Sequence, residues 1–153
     1  MDKNYLKSNH ITEVDLLATK NALLYTKILM DSSLEPERQK FGEALLDELS
    51  DAAKIDIIKL KISPARQFHK KLKTSAGWRI VSKQYGYYRP DSRYIYIYNR
   101  TAIQGKTLAA KTFLDTLLHE WLHHYDYKKL GLNSIHSSGF YKRLNNLKNK
   151  LGF

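Results

Sequence analysis

Residues 119–123 read His119-Glu120-Trp121-Leu122-His123, an H-E-x-x-H pattern. On a helix, two side chains four residues apart project from one face, a little over one turn apart. Two imidazoles so placed can hold one divalent ion together. Glu120 stands beside them, within reach of a water molecule on that ion. Zinc lowers the pKa of such a water to about 7. A neighbouring carboxylate can then take its proton and release a nucleophile for a carbonyl carbon. The chemistry this predicts is metal-assisted hydrolysis, with His119 and His123 as zinc ligands and Glu120 as general base. Without a metal, the same residues would be two surface histidines and an ordinary glutamate on a helix.

A catalytic zinc needs a third protein ligand and one open position. The chain has no cysteine, so the ligand must come from His, Asp or Glu. Four histidines remain. His124 follows His123 directly and points about 100° away around the helix. His10 and His69 have no motif around them. His136 lies 13 residues after His123, beyond Gly131, where the chain can turn back toward the metal. It is the expected third ligand. Asp126, three residues after His123, is the rival. It could equally accept a hydrogen bond from a ligating imidazole. Asp115, one turn before His119, is a weaker candidate for that supporting role. Tyr125, Tyr127 and Tyr141 are candidates to donate a hydrogen bond to a developing oxyanion.

The elements that must position these residues can be read from periodicity. A helix is expected over residues 12–30, capped by Thr12, with Val14, Leu16, Leu17, Leu23, Leu24 and Ile28 as its apolar positions. A second is expected from Ser33 or Leu34, with Pro36 in its first turn and Phe41, Leu45, Leu46 and Leu49 as its stripe. Residues 55–62 are ambiguous between strand and helix extension, and Ser63-Pro64 reads as a break. Strands are expected at 78–81 and 93–98, with a turn at 89–92. The metal-bearing helix is expected over residues 107–130 with Gly131 as its cap, and a last helix over 137–151. Helices, then strands, then helices imply an α+β fold.

The 153 residues are the usual size of one domain, divided here into a helical part, 1–58, and a part with sheet and active-site helices, 59–153. Apolar content of 42% and charged content of 27% are ordinary for a globular protein. No apolar run approaches the roughly 20 residues of a membrane span, and the first 15 residues lack the apolar core of a secretory signal. The absence of cysteine fits a reducing cytoplasm.

The net charge of +11 is unevenly placed. Residues 1–58 carry 7 basic and 11 acidic side chains, whereas residues 59–111 carry 13 basic and one acidic. Such a stretch suits a polyanion, DNA among them, as well as it suits plain solubility. Six of the eleven tyrosines fall between Tyr85 and Tyr98, among Lys83, Arg89 and Arg93. They suit base stacking, but suit a hairpin of half-buried tyrosines better. Residues 93–98 could be an edge strand that pairs with an extended substrate, or an internal strand. A basic nucleic-acid-binding module with a structural or vestigial metal site is therefore the alternative to an enzyme.

Three stretches taken in order resemble the SprT-like metallopeptidases, which include the Spartan-type proteases. They are Thr74-Ser75-Ala76-Gly77-Trp78, the segment from Gly86 to Ile97, and His119-Glu120-Trp121-Leu122-His123 followed by His136-Ser137-Ser138-Gly139-Phe140. The last is similar to the pattern H-E-x-x-H…H-G-x-x-F, with Ser137 where that pattern has glycine. The resemblance covers about residues 60–145. It implies a zincin-like fold with N-terminal helices, a small antiparallel sheet, an active-site helix and a C-terminal helix. It also implies His136 as third zinc ligand, a protein or peptide substrate, and action on DNA-associated proteins. The cysteine-rich zinc ribbon that many members carry is absent.

Overall fold

The structure is a computed structural model. It describes residues 2–74 and 77–153, and side chains outside 68–84. The small-residue turn at Ser75 and Ala76 lies outside the described residues, as does the side chain of His69.

Three helices come first: α1 Lys3–His10, α2 Lys20–Met30 and α3 Glu35–Ala53. Five strands follow: β1 Lys59–Arg66, β2 Phe68–Thr74, β3 Gly77–Gln84, β4 Gly86–Arg89 and β5 Tyr94–Arg100. Helices α4 Ala110–Lys129 and α5 Ser138–Lys150 complete the chain. The fold is α+β, as expected. The main sheet is mixed rather than antiparallel. Its order is β1-β5-β4, with β1 parallel and β4 antiparallel to β5. Strands β2 and β3 form a separate antiparallel hairpin.

Strand β5 is therefore central, which removes it as an edge for a substrate. Its residues alternate: Ile95, Ile97 and Asn99 are buried, and Tyr94, Tyr96 and Tyr98 are half-buried. Tyr96 stacks on Tyr87 of β4 at 5.3 Å, and the Arg89 guanidinium lies over the Tyr87 ring. The tyrosine-rich hairpin is thus a sheet with one packed face and one aromatic face. β4 is the edge strand of the pair.

The inward face, with Leu60, Ile62, Ile95 and Ile97, meets Leu45, Leu46 and Leu49 of α3 and Phe113, Leu114, Leu117, Trp121 and Leu122 of α4. All of the helical residues named are fully buried. This core carries α4 as a rigid bar across the sheet. Trp121 Nε1 donates to Ser50 Oγ at 3.1 Å, which fixes the rotation of α4 against α3. Gly131, at φ +64°, follows α4 in the left-handed conformation its capping role requires.

The helix expected over 12–30 forms only from Lys20. Thr19 is its cap, its hydroxyl accepting from Ala22 N at 3.0 Å. Residues 13–17 form an irregular, non-helical segment because side chains from α4 and α5 take their backbone groups. Val14 N donates to Asn146 Oδ1, Asp15 N donates to the Tyr125 hydroxyl, and Lys150 Nζ donates to the carbonyls of Val14 and Leu16. Leu17, one of the expected apolar positions, is 86% exposed. Ser63-Pro64 does not break β1 either. β1 is an edge strand, where proline forgoes no ladder bond, and the register slips between Ser63 and Arg66 instead. Among the described residues, no helix is long and apolar enough to cross a membrane.

Candidate metal centre

Helix α4 presents His119 and His123 on one face, and the connection from α4 to α5 returns His136 to them. The three Nε2 atoms form a near-equilateral triangle: 3.2 Å between His119 and His123, 3.1 Å between His119 and His136, and 3.0 Å between His123 and His136. Nitrogens each about 2.0–2.1 Å from one zinc ion at tetrahedral angles would stand roughly 3.3 Å apart. The triangle fits one ion. Phe140, fully buried in the first turn of α5, supports all three rings, with centroids 4.7, 5.0 and 5.2 Å from those of His123, His119 and His136.

The state of His123 can be assigned from its neighbours. The Ser134 hydroxyl donates to Asp126 Oδ2 at 2.9 Å, so its oxygen accepts from His123 Nδ1–H at 2.8 Å. With its proton on Nδ1, the Nε2 lone pair of His123 faces the centre. Burial also keeps the His119 and His123 rings neutral. It holds His119 down to about 4 and His123 down to about 3, with the neighbouring imidazoles adding to the effect. Neutral imidazoles are the ligand form.

Glu120 lies between two clefts and lines both. One, about 370 Å³, is bounded by Tyr87, Tyr88, Pro90, His123, Tyr127 and Ser134. The other, about 290 Å³, is bounded by Tyr85, Asp115, Thr116, His119 and His136. Burial pushes the Glu120 carboxyl up to about 7, which suits a group that takes and returns protons near neutrality.

Asp126 is not a ligand. It is fully buried in an ion pair with Arg143, at 2.8 Å from Nη2 and 3.1 Å from Nε, and reaches His123 only through Ser134. Asp115 pairs with Lys148, and its charge raises the His119 pKa without outweighing burial. His124 points away from the centre, as its spacing requires. Its Nε2–H donates to Asp56 O at 2.8 Å and its Nδ1 accepts from the Tyr88 hydroxyl at 2.9 Å, so it is a satisfied core histidine. His10 is exposed near the end of α1. Tyr125 is buried, its hydroxyl occupied by Asp15 N, and cannot serve an oxyanion. Tyr127 lines the larger of the two clefts, and the Tyr141 ring lies 5.8 Å from that of His136, so these two remain at the site.

Sequence reasoning missed Ser134 and Arg143. Ser134 had no signal: a serine in a polar loop is common. Arg143 had one, a lone arginine among the Lys and Asn residues of α5, but its partner lies in another element. Comparison with family models, with curated proteins and with solved structures returned no match.

Proposed function

We propose that the chain is a zinc-dependent endopeptidase with a zincin-like fold. The observation that carries this reading is the convergence of three imidazole Nε2 atoms beside a buried carboxyl poised near neutrality. His119, His123 and His136 would hold the zinc, which when bound supplies Lewis acidity and an acidified water. Glu120 accepts a proton on its carboxylate and returns it to the leaving amine. Such a group contributes roughly 10²–10⁴-fold in rate.

An extended peptide has a place to lie. β4 pairs with β5 on one side only among the described residues, and its Gly86, Tyr87 and Tyr88 share the larger cleft with Glu120 and His123. Main-chain bonds to that edge would set a substrate strand across the metal. The tyrosines and Pro90 around it favour an apolar substrate side chain next to the scissile bond. The resemblance to the SprT-like metallopeptidases points to the same chemistry and to DNA-associated proteins as substrates. The cysteine-free composition suits a cytoplasmic location.

The test is Glu120→Gln beside His136→Ala. Glu120→Gln should keep one zinc per chain and lose cleavage of a disordered protein substrate. His136→Ala should lose the zinc. Wild-type cleavage by Glu120→Gln would end the proposal.

A second reading, a basic nucleic-acid-binding module whose metal is structural, draws on the β2–β3 hairpin. It pairs outside the main sheet, and residues 68–84 carry five basic and no acidic side chains. A two-stranded ribbon of that size fits a DNA groove. Salt-dependent DNA binding without zinc-dependent proteolysis would favour it.

A further inference from the structure

His136 is exposed and belongs to no helix or strand, yet its ring must be held to about half an ångström for a metal site to be preformed. The connection that carries it, residues 131–137, is gripped mainly by α1. The Asn4 side chain binds both backbone groups of Asn133: its Oδ1 accepts from Asn133 N at 2.9 Å and its Nδ2 donates to Asn133 O at 2.8 Å. Lys7 Nζ donates to Leu130 O. Beyond His136, Ser8 Oγ meets Ser137 Oγ at 2.6 Å, and Asn9 Oδ1 accepts from Gly139 N and from the Ser138 hydroxyl, each at 3.1 Å. Both flanks of the third imidazole are therefore tied to one turn and a half of helix.

Little else holds α1. Ser8 is its one buried residue, and Tyr5 and Leu6 are 44% and 46% exposed. Eight residues are too few to be helical alone in water. Arg143 donates to the carbonyls of Ser8 and Ile11, which closes the end of the helix over the site's ion pair. Gly139 permits the approach: a Cβ there would stand 2.0 Å from Ser8 O. The glycine two positions after Ser137 thus makes room for α1.

We propose that α1 is a clamp on the third-ligand connection and that Asn4 is its positioning residue, so that docking of α1 and metal binding reinforce each other. The proposal rests on the metal reading above. Coupling between two sites is reciprocal: if α1 tightens metal binding by some factor, metal tightens α1 docking by the same factor.

The experiment uses the full chain with zinc and with Co²⁺ as a spectroscopic stand-in. Zinc affinity is measured by chelator competition for wild type, Asn4→Ala and the solvent-facing control Lys3→Ala. Asn4→Ala should bind zinc about tenfold more weakly and alter the Co²⁺ visible spectrum. Lys3→Ala should match wild type. Independently of any variant, amide exchange in residues 4–10 of the wild-type chain should slow on adding zinc. Unchanged affinity and spectrum in Asn4→Ala, or α1 exchange indifferent to zinc, would overturn the clamp while leaving the metal site standing. A wild-type chain that binds no zinc would overturn the metal reading and the clamp together.

Discussion

Two arginines, Arg38 and Arg143, are completely buried at different ends of the molecule, and they are satisfied in different ways. Arg143 is paired with a carboxylate. Asp126 takes its Nε and Nη2, α1 carbonyls take its Nη1, and the other side of Asp126 continues through Ser134 to His123. Arg38 meets neutral acceptors. Its Nε donates to Ser32 Oγ, its Nη2 to Ser32 O and its Nη1 to Asn99 Oδ1, and its guanidinium lies 4.7 Å from the Phe113 ring centroid. Among the described residues it has no ion pair, and burial holds its pKa down to about 10. Both clusters close a helix against its surroundings. One ends in a group that can do chemistry and the other ends in backbone, so equal burial of the same side chain says nothing about function by itself.

The comparison breaks most visibly at Asp126. A buried ion pair is close to neutral as a net contribution, because desolvation cancels most of the attraction, but removing one partner strands a charge. Asp126→Ala should cost about 3–5 kcal/mol, a fall in Tm on the order of 10 °C by calorimetry. It should also weaken zinc binding. A Tm within a degree of wild type would mean that Arg143 is not held by this carboxylate.

Arg38→Met removes a charge that has no carboxylate to strand. It leaves Asn99 and Ser32 with unfilled acceptors, at about 1–3 kcal/mol. Zinc affinity should stay within twofold of wild type. A large loss of metal in this variant would erase the distinction between the two ends.

Ser134→Ala cuts the relay without breaking the ion pair. The Asp126–Arg143 bonds survive, while His123 Nδ1 loses its acceptor. Zinc should bind about tenfold more weakly, or about 1.4 kcal/mol, by the usual cost of losing a partner behind a ligand. The stability of the metal-free chain should barely move. If Ser134→Ala binds zinc as wild type does, the orientation of His123 comes from packing on Phe140 alone.

The parts of the site legible in the sequence were those set by distance along one helix. His119, His123 and the outward turn of His124 follow from 3.6 residues per turn, and Glu120 follows with them. His136 was legible because a chain reversal and few remaining histidines narrowed the choice, though Asp126 stayed open. What could not be read were bonds between residues far apart in sequence. Asn4 and Asn133 are 129 residues apart, and nothing local in either marks the pair. The same cause defeated the helix expected from Thr12. Its apolar spacing is real, but Asn146, Tyr125 and Lys150 supply the backbone of residues 14–16 with partners that a helix would otherwise provide. The central place of β5 was equally hidden, since its parallel partner β1 is brought there only by the completed fold.

Near neutrality the smallest expected effect is a pH response confined to the site end. His119, His123 and His124 all have pKa values held below the ordinary histidine value by burial. In the unfolded chain each takes up a proton as pH falls through about 6.5, whereas in the folded metal-free chain it does so only at lower pH. For these histidines the unfolded state therefore binds more protons in that window, so their contribution is full above it and declines as pH falls. Glu120, whose carboxyl burial pushes up to about 7, has the opposite sign and offsets part of the decline. Between pH 7 and 6.5 the loss is a few tenths of a kcal/mol per histidine, and it steepens toward the folded values of about 4 for His119 and about 3 for His123. The Arg38 cluster contains no group that titrates there. Urea midpoints of the metal-free chain at pH 7.5, 6.5 and 5.5 should fall in that order, and His123→Gln should flatten the fall by its own share while Arg38→Met leaves the slope unchanged. A slope that shifts with Arg38→Met and ignores His123→Gln would mean that the proton uptake lies elsewhere and that the imidazoles are not held neutral by their burial.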